Sequence, residues 1–430
     1  MLKVFIPENI PSLNKGEEAI LRGIKKSLDP LGNFLLMVFS SHPDDDKPRF
    51  EPDVKVIEGL DFFSYYFAPI NKGKKQLITN LIRLLGFAFL MRITCGFSIW
   101  FFQDPMLRAF GEADLILAGH DGLLGVDHYW LYLASKIMKK PIIFFGSGGS
   151  TKEIAKRSRR QRLKNAVEGS LLITVRDQMM KDFLINLGVT PSKINLYPDP
   201  AFLLPAANDS RVQEIFNIEK IGVKKTPLIC IIAVQGGIVA QNSFVNLKTI
   251  HEKRSARIEF WATFINFIIE QTDAEILFLP HCIGPSEDKD DRKITADIIG
   301  RLTHSIDRVK LFKYEYNASE LKGVIKHSDY IIGERAHAMI GAVSVGTPCL
   351  ALTVEEDNRI NDIIGRLAER PVFHMNNPNI EELKKMFIQE WDNRSKTKEV
   401  MKNISDNINR KANEAAELLR DKINENIKWH

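Results

Sequence analysis

The sequence predicts an α/β protein of two domains, each built on a parallel β-sheet. The chain has 430 residues, more than a single hydrophobic core usually serves, so two domains are expected. Short runs of β-branched and aromatic residues alternate with segments of helical pattern, which is typical of βα units in a parallel sheet. A composition of 44% hydrophobic and 26% charged residues indicates folded structure along most of the chain.

The predicted strands form two sets, separated by a charged segment. The first set comprises residues 3–6, 35–39, 54–57, 114–117, 142–145, 172–175 and 194–197, and the second comprises residues 228–234, 275–279, 309–312, 330–332 and 348–352. The predicted organisation is therefore a domain over 1–205, an irregular linker over 206–226, a second domain over 227–378 and charged C-terminal helices over 379–430. Ligands of such sheets bind at the carboxyl ends of the strands, so we expect the site in a cleft between the domains.

Charge and cysteine content exclude several classes of protein. A net charge of +5, from 59 basic and 54 acidic residues, is too small to predict a nucleic-acid partner, but it is compatible with a small anionic substrate. The four cysteines are far apart and show no metal-binding spacing, so we predict buried, reduced thiols and no metal site. The first residues already have the pattern of a strand, which predicts no secretory signal and favours a cytoplasmic location.

Residues 77–102 are unusually apolar. Arg83 and Arg92 interrupt this stretch and leave only residues 84–91 free of charge, which is too short to cross a bilayer. Two interpretations stay open. The segment either forms helices packed on the core, or it presents Phe, Leu, Trp and Arg side chains to a membrane surface.

The strongest chemical motif lies between a predicted strand at 330–332 and a predicted helix at 336–345. Glu334, Arg335 and His337 occupy the turn, and the small residues of the helix allow it to pack closely on the sheet. The amino end of that helix carries a positive dipole, so the turn suits a multiply charged anion. We predict Arg335 as an anion ligand and His337 with Glu334 as an acid/base pair. The alternative is a structural turn in which Glu334 pairs with Arg335.

Further candidates for binding follow other predicted strands. Asn14 and Gly16 precede a helix whose first N–H groups could bind an anion or a sugar hydroxyl, although an ordinary capped turn has the same pattern. Gly119, His120 and Asp121 combine close backbone approach with a titratable pair.

Three more candidates have similar positions. Ser147 and Gly148 could hold an anion on successive amides, but they lack the spacing of either nucleotide-binding glycine motif. Arg176 is expected to clamp a carboxylate or phosphate, unless it is a surface residue beside a helix-capping Asp177. His281 ends a strand before the acidic run 287–291, where substrate hydrogen bonding or a solvated loop is expected, because the spacing does not fit a calcium loop.

Several of these motifs together resemble the polysaccharide pyruvyl transferase family. That family has a G-x-R-x-H-A turn and an alanine-rich helix ending in S-x-G-x-P, and this chain reads GERAHA at 333–338 and SVGTP at 344–348. LPH at 279–281, VRD at 175–177, PDPAF at 198–202 and the N-x-G-E-x-A-I-L pattern from residue 14 are similar to other landmarks of the family. The resemblance extends, in order, over residues 1–370.

The resemblance implies a fold like that of the GT-B glycosyltransferases, with two Rossmann-like domains. It implies a transferase that moves a pyruvyl group from phosphoenolpyruvate to a saccharide hydroxyl, forms a pyruvate ketal and releases phosphate, in surface polysaccharide or exopolysaccharide biosynthesis. The acceptor would be a saccharide or a lipid-linked oligosaccharide, and no cofactor is implied. Arg335 and His337 would contact the donor, Arg176 would be a further anion ligand, and Arg359 stands roughly where the family has the lysine of Y-x-x-K.

Two departures from the family pattern leave alternatives open. Residues 119–122 read GHDG where the family often has a glycine triplet, and residues 354–359 lack the Y-x-x-K pattern. A glycosyltransferase that uses a nucleotide sugar on the same fold is one alternative. A carbohydrate-binding homologue without catalytic activity is the other.

Overall fold

The computed structural model describes residues 1–59, 74–120, 126–148, 157–222, 226–303 and 306–427. The chain divides into two compact units. The N-terminal unit contains Met1–Ser12, Ile24–Asp199 and Ala412–His430, and the C-terminal unit contains Leu13–Gly23 and Pro200–Lys411. Residues 13–23 therefore belong with the C-terminal unit, although they lie far from its other residues in sequence.

The N-terminal unit is built on a seven-stranded parallel sheet in the order β3-β2-β1-β4-β5-β6-β7. Its strands are β1 (Leu2–Asn9), β2 (Phe34–Phe39), β3 (Lys55–Ile57), β4 (Leu115–Ala118), β5 (Ile142–Ser147), β6 (Leu172–Val175) and β7 (Ile194–Leu196). The central strands β4, β5 and β6 are buried along their whole length. This burial on both faces explains why these strands read as continuous apolar runs.

Helices connect the strands of this sheet. They are α1 (Lys15–Leu28), α2 (Pro43–Phe50), α3 (Lys74–Ile93), α4 (Pro105–Glu112), α5 (Val126–Ile137), α6 (Arg157–Gly169) and α7 (Gln178–Asn186). The helix α4 shows how the local sequence sets a boundary: the Asp104 side chain accepts a hydrogen bond from the Leu107 amide at 3.0 Å, and Pro105 fills the first helical position.

The C-terminal unit has a six-stranded parallel sheet in the order β10-β9-β8-β11-β12-β13. Its strands are β8 (Leu228–Ile232), β9 (Glu275–Phe278), β10 (Val309–Leu311), β11 (Tyr330–Gly333), β12 (Cys349–Thr353) and β13 (Val372–His374). Its helices are α8 (Asp209–Glu219), α9 (Ile238–Asn242), α10 (Ile250–Gln271), α11 (Asp291–Ile299), α12 (Ala318–Lys326), α13 (Ala336–Val345), α14 (Ile380–Asp392) and α15 (Arg394–Asn426), with a π-helical segment at Ile360–Leu367. The α15 helix continues into the N-terminal unit at Ala412.

The strand-to-helix turn that carries the strongest motif lies where the sequence predicts it. Strand β11 and helix α13 match the predicted segments to within one residue. Helix α13 ends because Gly346 takes a left-handed conformation with φ of 74°, which a side chain would disfavour. All α13 residues except His337 and Val345 are buried, as expected for a helix of small and aliphatic residues on a sheet.

The structure differs from the sequence-based expectation at three places. Strand β13 was not predicted, because three residues at a sheet edge give too short a pattern. The segment predicted as an irregular linker contains helix α8, which Asn208 caps by accepting a hydrogen bond from the Arg211 amide at 2.9 Å. Cys95 is exposed, whereas the other three cysteines are buried as predicted.

Within the described residues, none of the helices combines the length and the apolar character needed to cross a membrane.

Candidate active site

Arg335 holds a fixed position at the start of α13. Its guanidinium binds both carboxylate oxygens of Asp291, with Nε to Oδ2 at 3.0 Å and Nη2 to Oδ1 at 2.6 Å. Asp291 is fully buried at the first position of α11 and also accepts hydrogen bonds from the amides of Gln235, His281 and Cys282. The arginine is therefore oriented by an acid that is itself held by three backbone donors.

Arg335 stays charged beside Asp291 and is partly exposed. Burial alone would lower the pKa of Arg335, but the adjacent Asp291 carboxylate raises it above its ordinary value, so the group stays a cation. The side chain is 20% exposed, and Asp291 uses only the Nε and Nη2 edge. The Nη1 atom of the guanidinium therefore takes no part in the Asp291 pair.

His281 lies just after β9, buried among positive charges. Burial, followed by the charges of Arg335, His337 and Lys15, lowers the pKa of His281 to about 3. Its ring is therefore neutral at physiological pH. Among the described residues Nδ1 of His281 has no hydrogen-bond partner, although it is buried. We call Arg335, His281, His337 and Lys15 the cationic corner.

His337 occupies the second position of α13 and lies against the start of α1. A Cβ added to Gly16 would be 2.5 Å from Nδ1 of His337, so a glycine is needed for this approach. Asn14 caps the turn by accepting a hydrogen bond from the Gly16 amide at 3.1 Å. The side chain of Arg335, at the N-cap position of α13, does not cap the helix. The first N–H groups of α13 lie at this amino end, beside His337.

The segment before α1 is anchored to the loop after β9. Asn14 forms an antiparallel bridge with Cys282, and the Lys15 amide donates to the His281 carbonyl at 2.8 Å. Five predicted site residues are thus brought together within the C-terminal unit: Asn14, Gly16, His281, Arg335 and His337.

Lys15 and Asp291 belong to this region but were not predicted. The Lys15 side chain is 2% exposed, and its ammonium lies 2.9 Å from the Glu315 carboxylate and 3.4 Å from that of Glu18. Lys15 lies between Asn14 and Gly16, which were both predicted as site residues. Asp291 is the last residue of the acidic run at 287–291. Within that run Asp291 is fully buried, Asp290 is partly buried and residues 287–289 are exposed, and no sequence pattern marks this difference.

Glu334 has a different partner from the one expected. Its Oε2 accepts hydrogen bonds from the Arg257 guanidinium and from the Val234 amide, both at 2.8 Å. The Glu334 and Arg257 side chains are 0% and 1% exposed, so they form a buried ion pair. The suggested ion pair between Glu334 and Arg335 is wrong. Arg335 forms its ion pair with Asp291, and Glu334 forms its ion pair with Arg257.

Arg359 follows β12, the strand that neighbours β11. Its Nε and Nη2 atoms lie 3.1 and 3.2 Å from the two carboxylate oxygens of the buried Asp357. The side chain is 31% exposed. Arg359 therefore resembles Arg335 in being a partly exposed arginine that is oriented by a buried aspartate near the carboxyl end of a strand.

In the N-terminal unit, the structure brings Ser147, Gly148 and Arg176 together in the interior. The Arg176 guanidinium is 0% exposed, and its Nη1 lies 2.5 Å from the equally buried Asp199 carboxylate. A Cβ on Gly148 would be 2.5 Å from Nε of Arg176, and the Ser147 carbonyl accepts a hydrogen bond from the Arg176 amide. The expectation of an open anion clamp does not fit this geometry. Arg176 is not a surface residue either, although Asp177 does cap α7 as that alternative expected.

A second polar cluster of the N-terminal unit surrounds Glu8, at the end of β1. The Glu8 carboxylate accepts hydrogen bonds from the Gly119 amide at 2.9 Å and contacts His120 Nδ1 at 3.0 Å and His128 Nε2 at 2.6 Å. Burial favours a higher pKa for Glu8, but the two histidines together hold it well below its usual range. Glu8 and His128 were not predicted, because their contacts depend on β1 pairing with β4. Asp121 lies outside the described residues.

The chain matches a known protein family over most of its length. The model of the polysaccharide pyruvyl transferase family matches residues 14–356, which include the whole cationic corner. The chain belongs to this family. A member of the polysaccharide pyruvyl transferase family is a transferase that acts in polysaccharide pyruvylation, so the predicted enzyme class is confirmed. No curated protein matches the chain.

Solved structures that resemble the chain confirm the predicted fold class. A putative UDP-N-acetylglucosamine 2-epimerase from Listeria monocytogenes has a TM-score of 0.60 at 14% identity, covering 98% of this chain and 95% of the epimerase. A glycosyltransferase from Rickettsia africae has a TM-score of 0.60 at 11% identity, covering 98% of both chains. Anabaena Alr3699/HepE in complex with UDP and glucose has a TM-score of 0.59 at 12% identity, covering 99% of this chain and 100% of that one. At this identity the likeness shows the fold, a GT-B-like α/β architecture with two parallel sheets.

Proposed function

We propose that the protein transfers a pyruvyl group from phosphoenolpyruvate to a saccharide hydroxyl, forms a pyruvate ketal and releases phosphate. The observation that carries this proposal is the cationic corner at the β11–α13 turn. It combines an oriented arginine, two histidines and a helix amino end in one place. Phosphoenolpyruvate is a small molecule with a carboxylate and a phosphate, so it needs converging cations and N–H donors of this kind.

Each group of the corner has a separate role toward this donor. The Nη1 edge of Arg335 binds one anionic group, and the amino end of α13 binds the other. His281 is neutral, so it contributes a hydrogen bond without a further charge. Lys15 lies in the same corner, but the carboxylates of Glu315 and Glu18 balance its charge, so Arg335 is the main cation offered to the donor.

The reaction requires a proton at one end of the enol double bond. A proton from His337 adds to the methylene carbon of the donor, and C2 gains positive character. A sugar oxygen then bonds to C2 and gives its proton to His337, which restores the proton that the imidazole donated. The C2–O bond to phosphate breaks and its electron pair leaves with phosphate. A second hydroxyl of the same sugar bonds to C2 and gives its proton to the released phosphate, so the products are a cyclic pyruvate ketal and inorganic phosphate.

Glu334 is a positioning residue in this scheme. Its carboxylate is buried against Arg257 and fixes the amide of Val234, while the next amide, of Gln235, donates to Asp291. Glu334 thus stabilises the loop after β8 that orients Asp291 and, through it, Arg335. We therefore propose a positioning role for Glu334 instead of the acid/base role that the sequence predicts.

We propose the N-terminal unit for the acceptor saccharide, with Gly119 and His120 at its carboxyl strand ends and Asp121 in the adjoining segment. The Glu8 cluster gives His120 a fixed orientation, which supports hydrogen bonding to sugar hydroxyls. Because phosphoenolpyruvate is produced inside cells, we expect the reaction on the cytoplasmic side.

Calorimetry and product analysis together test this function. Phosphoenolpyruvate should bind the wild-type protein and should bind Arg335→Ala far more weakly, while UDP-sugars should not compete. With a panel of glycans, phosphate release should depend on the acceptor and on His337, and mass spectrometry should find a pyruvyl group on the glycan. Binding of a UDP-sugar without binding of phosphoenolpyruvate would favour a glycosyltransferase. Binding of glycans with no turnover of either donor would favour a carbohydrate-binding homologue.

A further inference from the structure

One face of α3 and the segment after it exposes a continuous set of large apolar side chains. More than half of the exposed large hydrophobic residues in the described part of the chain lie here, at Ile78, Ile82, Phe89, Leu90, Ile93, Phe97, Trp100 and Phe101. Phe97, Trp100 and Phe101 belong to one short 3₁₀ helix and are 77%, 78% and 86% exposed. We call these eight residues the α3 apolar face.

Packing in the core does not account for the α3 apolar face. The opposite side of α3 is already buried, with Leu84, Phe87, Ala88 and Met91 in the core of the N-terminal unit. The helix is therefore apolar on two sides, one toward the core and one toward solvent. An exposed apolar area of this extent indicates an interaction surface.

The charges in the sequence that contains the α3 apolar face have one sign. Between Asp61 and Asp104 the sequence contains no aspartate or glutamate, but it contains Lys72, Lys74, Lys75, Arg83 and Arg92. Arg83 and Arg92 are exposed on α3 itself. A second copy of the chain would bring Arg83 and Arg92 against the same arginines of its partner, whereas an anionic surface would attract both.

We propose that the α3 apolar face docks on an anionic phospholipid bilayer. Trp and Phe side chains favour the boundary between lipid headgroups and acyl chains, and arginine side chains extend to lipid phosphates. The helix lies in the plane of the interface, because its opposite side, with Leu84, Phe87 and Met91, is buried in the core of the N-terminal unit. This inference does not depend on the proposed pyruvyl transfer. If the acceptor is lipid-linked, docking would bring the enzyme to the surface that carries it.

Vesicle sedimentation with the full chain tests the docking. We expect binding to vesicles of phosphatidylcholine with phosphatidylglycerol, weaker binding to phosphatidylcholine alone, and a decrease as salt rises. The double variant Trp100→Ser/Phe101→Ser should bind at least about ten-fold more weakly, because two large side chains no longer enter the interface. Arg83→Gln/Arg92→Gln should lose mainly the preference for the anionic vesicles.

The control is Ile250→Ser, which removes an apolar side chain that is 74% exposed at the start of α10, outside the α3 apolar face. It should bind vesicles like the wild type, and thermal unfolding should show that all variants are folded. Failure of the wild type to bind either vesicle would overturn the proposal. A concentration-dependent dimer that the Trp100/Phe101 variant abolishes, without vesicle binding, would assign the face to self-association instead. Equal binding by the wild type and both double variants would also contradict it.

Discussion

Arg176 and Arg335 carry the same signal in the sequence and have different surroundings in the structure. Each arginine follows a buried parallel strand, and each is oriented by a fully buried aspartate. Arg176 is itself 0% exposed in the N-terminal unit, whereas Arg335 is 20% exposed in the C-terminal unit and adjoins two histidines and a lysine. The comparison teaches that one sequence signal covers both a fully buried structural arginine and a partly exposed one, and that exposure and neighbouring side chains distinguish them.

Replacement of Arg335 should have the largest effect on activity. Arg335→Ala removes the oriented cation, and we expect kcat/KM for phosphate release to fall about 1000-fold, the scale for losing a main charge-stabilising donor. Stability should change little, because three backbone amides continue to bind Asp291. Steady-state kinetics and thermal unfolding measure the two effects. An active Arg335→Ala variant would remove the distinction between the two arginines.

Replacement of Arg176 should instead affect folding. Arg176→Ala leaves the buried Asp199 carboxylate without its ion-pair partner, which should reduce the free energy of unfolding by about 3–5 kcal/mol. Urea unfolding measures this loss, and the double variant Arg176→Met/Asp199→Asn should recover part of it. If Arg176→Ala were fully stable and had lost only its affinity for phosphoenolpyruvate, Arg176 would be a ligand after all.

Gly16→Ala tests the close contact between α1 and His337. The added Cβ would meet the imidazole at 2.5 Å, so the ring must move, and we expect kcat to fall by roughly 10–100-fold. Gly341→Ala in α13 is a matched control, because its Cβ would meet only Ile325 and Lys322 at ordinary distances of 3.8 and 4.0 Å. That variant should keep its activity. Similar kinetics for the two variants would show that the position of His337 is not critical.

Much of the fold could be predicted because strands and helices are local patterns. Every predicted strand overlaps an observed one, and helix α13 begins and ends at the predicted residues. The edge strand β13 was missed because three residues give no periodicity, and helix α8 was missed because its charged sequence was interpreted as a linker.

The candidate site was predictable in part for the same reason. Arg335, His337 and His281 could be found because each follows a recognisable strand. The side chains that pair with the site residues could not be predicted. Asp291 is 44 residues from Arg335 in sequence, and Arg257 is 77 residues from Glu334. Only the order of strands and helices brings these pairs together, so a local pattern identifies the cation but not the acid that fixes it.

The smallest predicted effect concerns the neutral His281, and it appears in the pH dependence of stability. The pKa of His281 is about 3 in the folded protein, against 6.5 for an unperturbed histidine, so below pH 6.5 the unfolded state binds a proton that the folded state does not. Stability from this group is therefore complete above pH 6.5 and decreases as the pH falls toward 3. Between pH 6.5 and pH 5 the wild type should lose about 1.6 kcal/mol more than His281→Asn, because the slope rises from half of about 1.4 kcal/mol per pH unit at pH 6.5 toward the full value below it. Urea unfolding across this range measures the difference. Parallel curves for the two proteins would mean that the cationic corner does not keep His281 neutral.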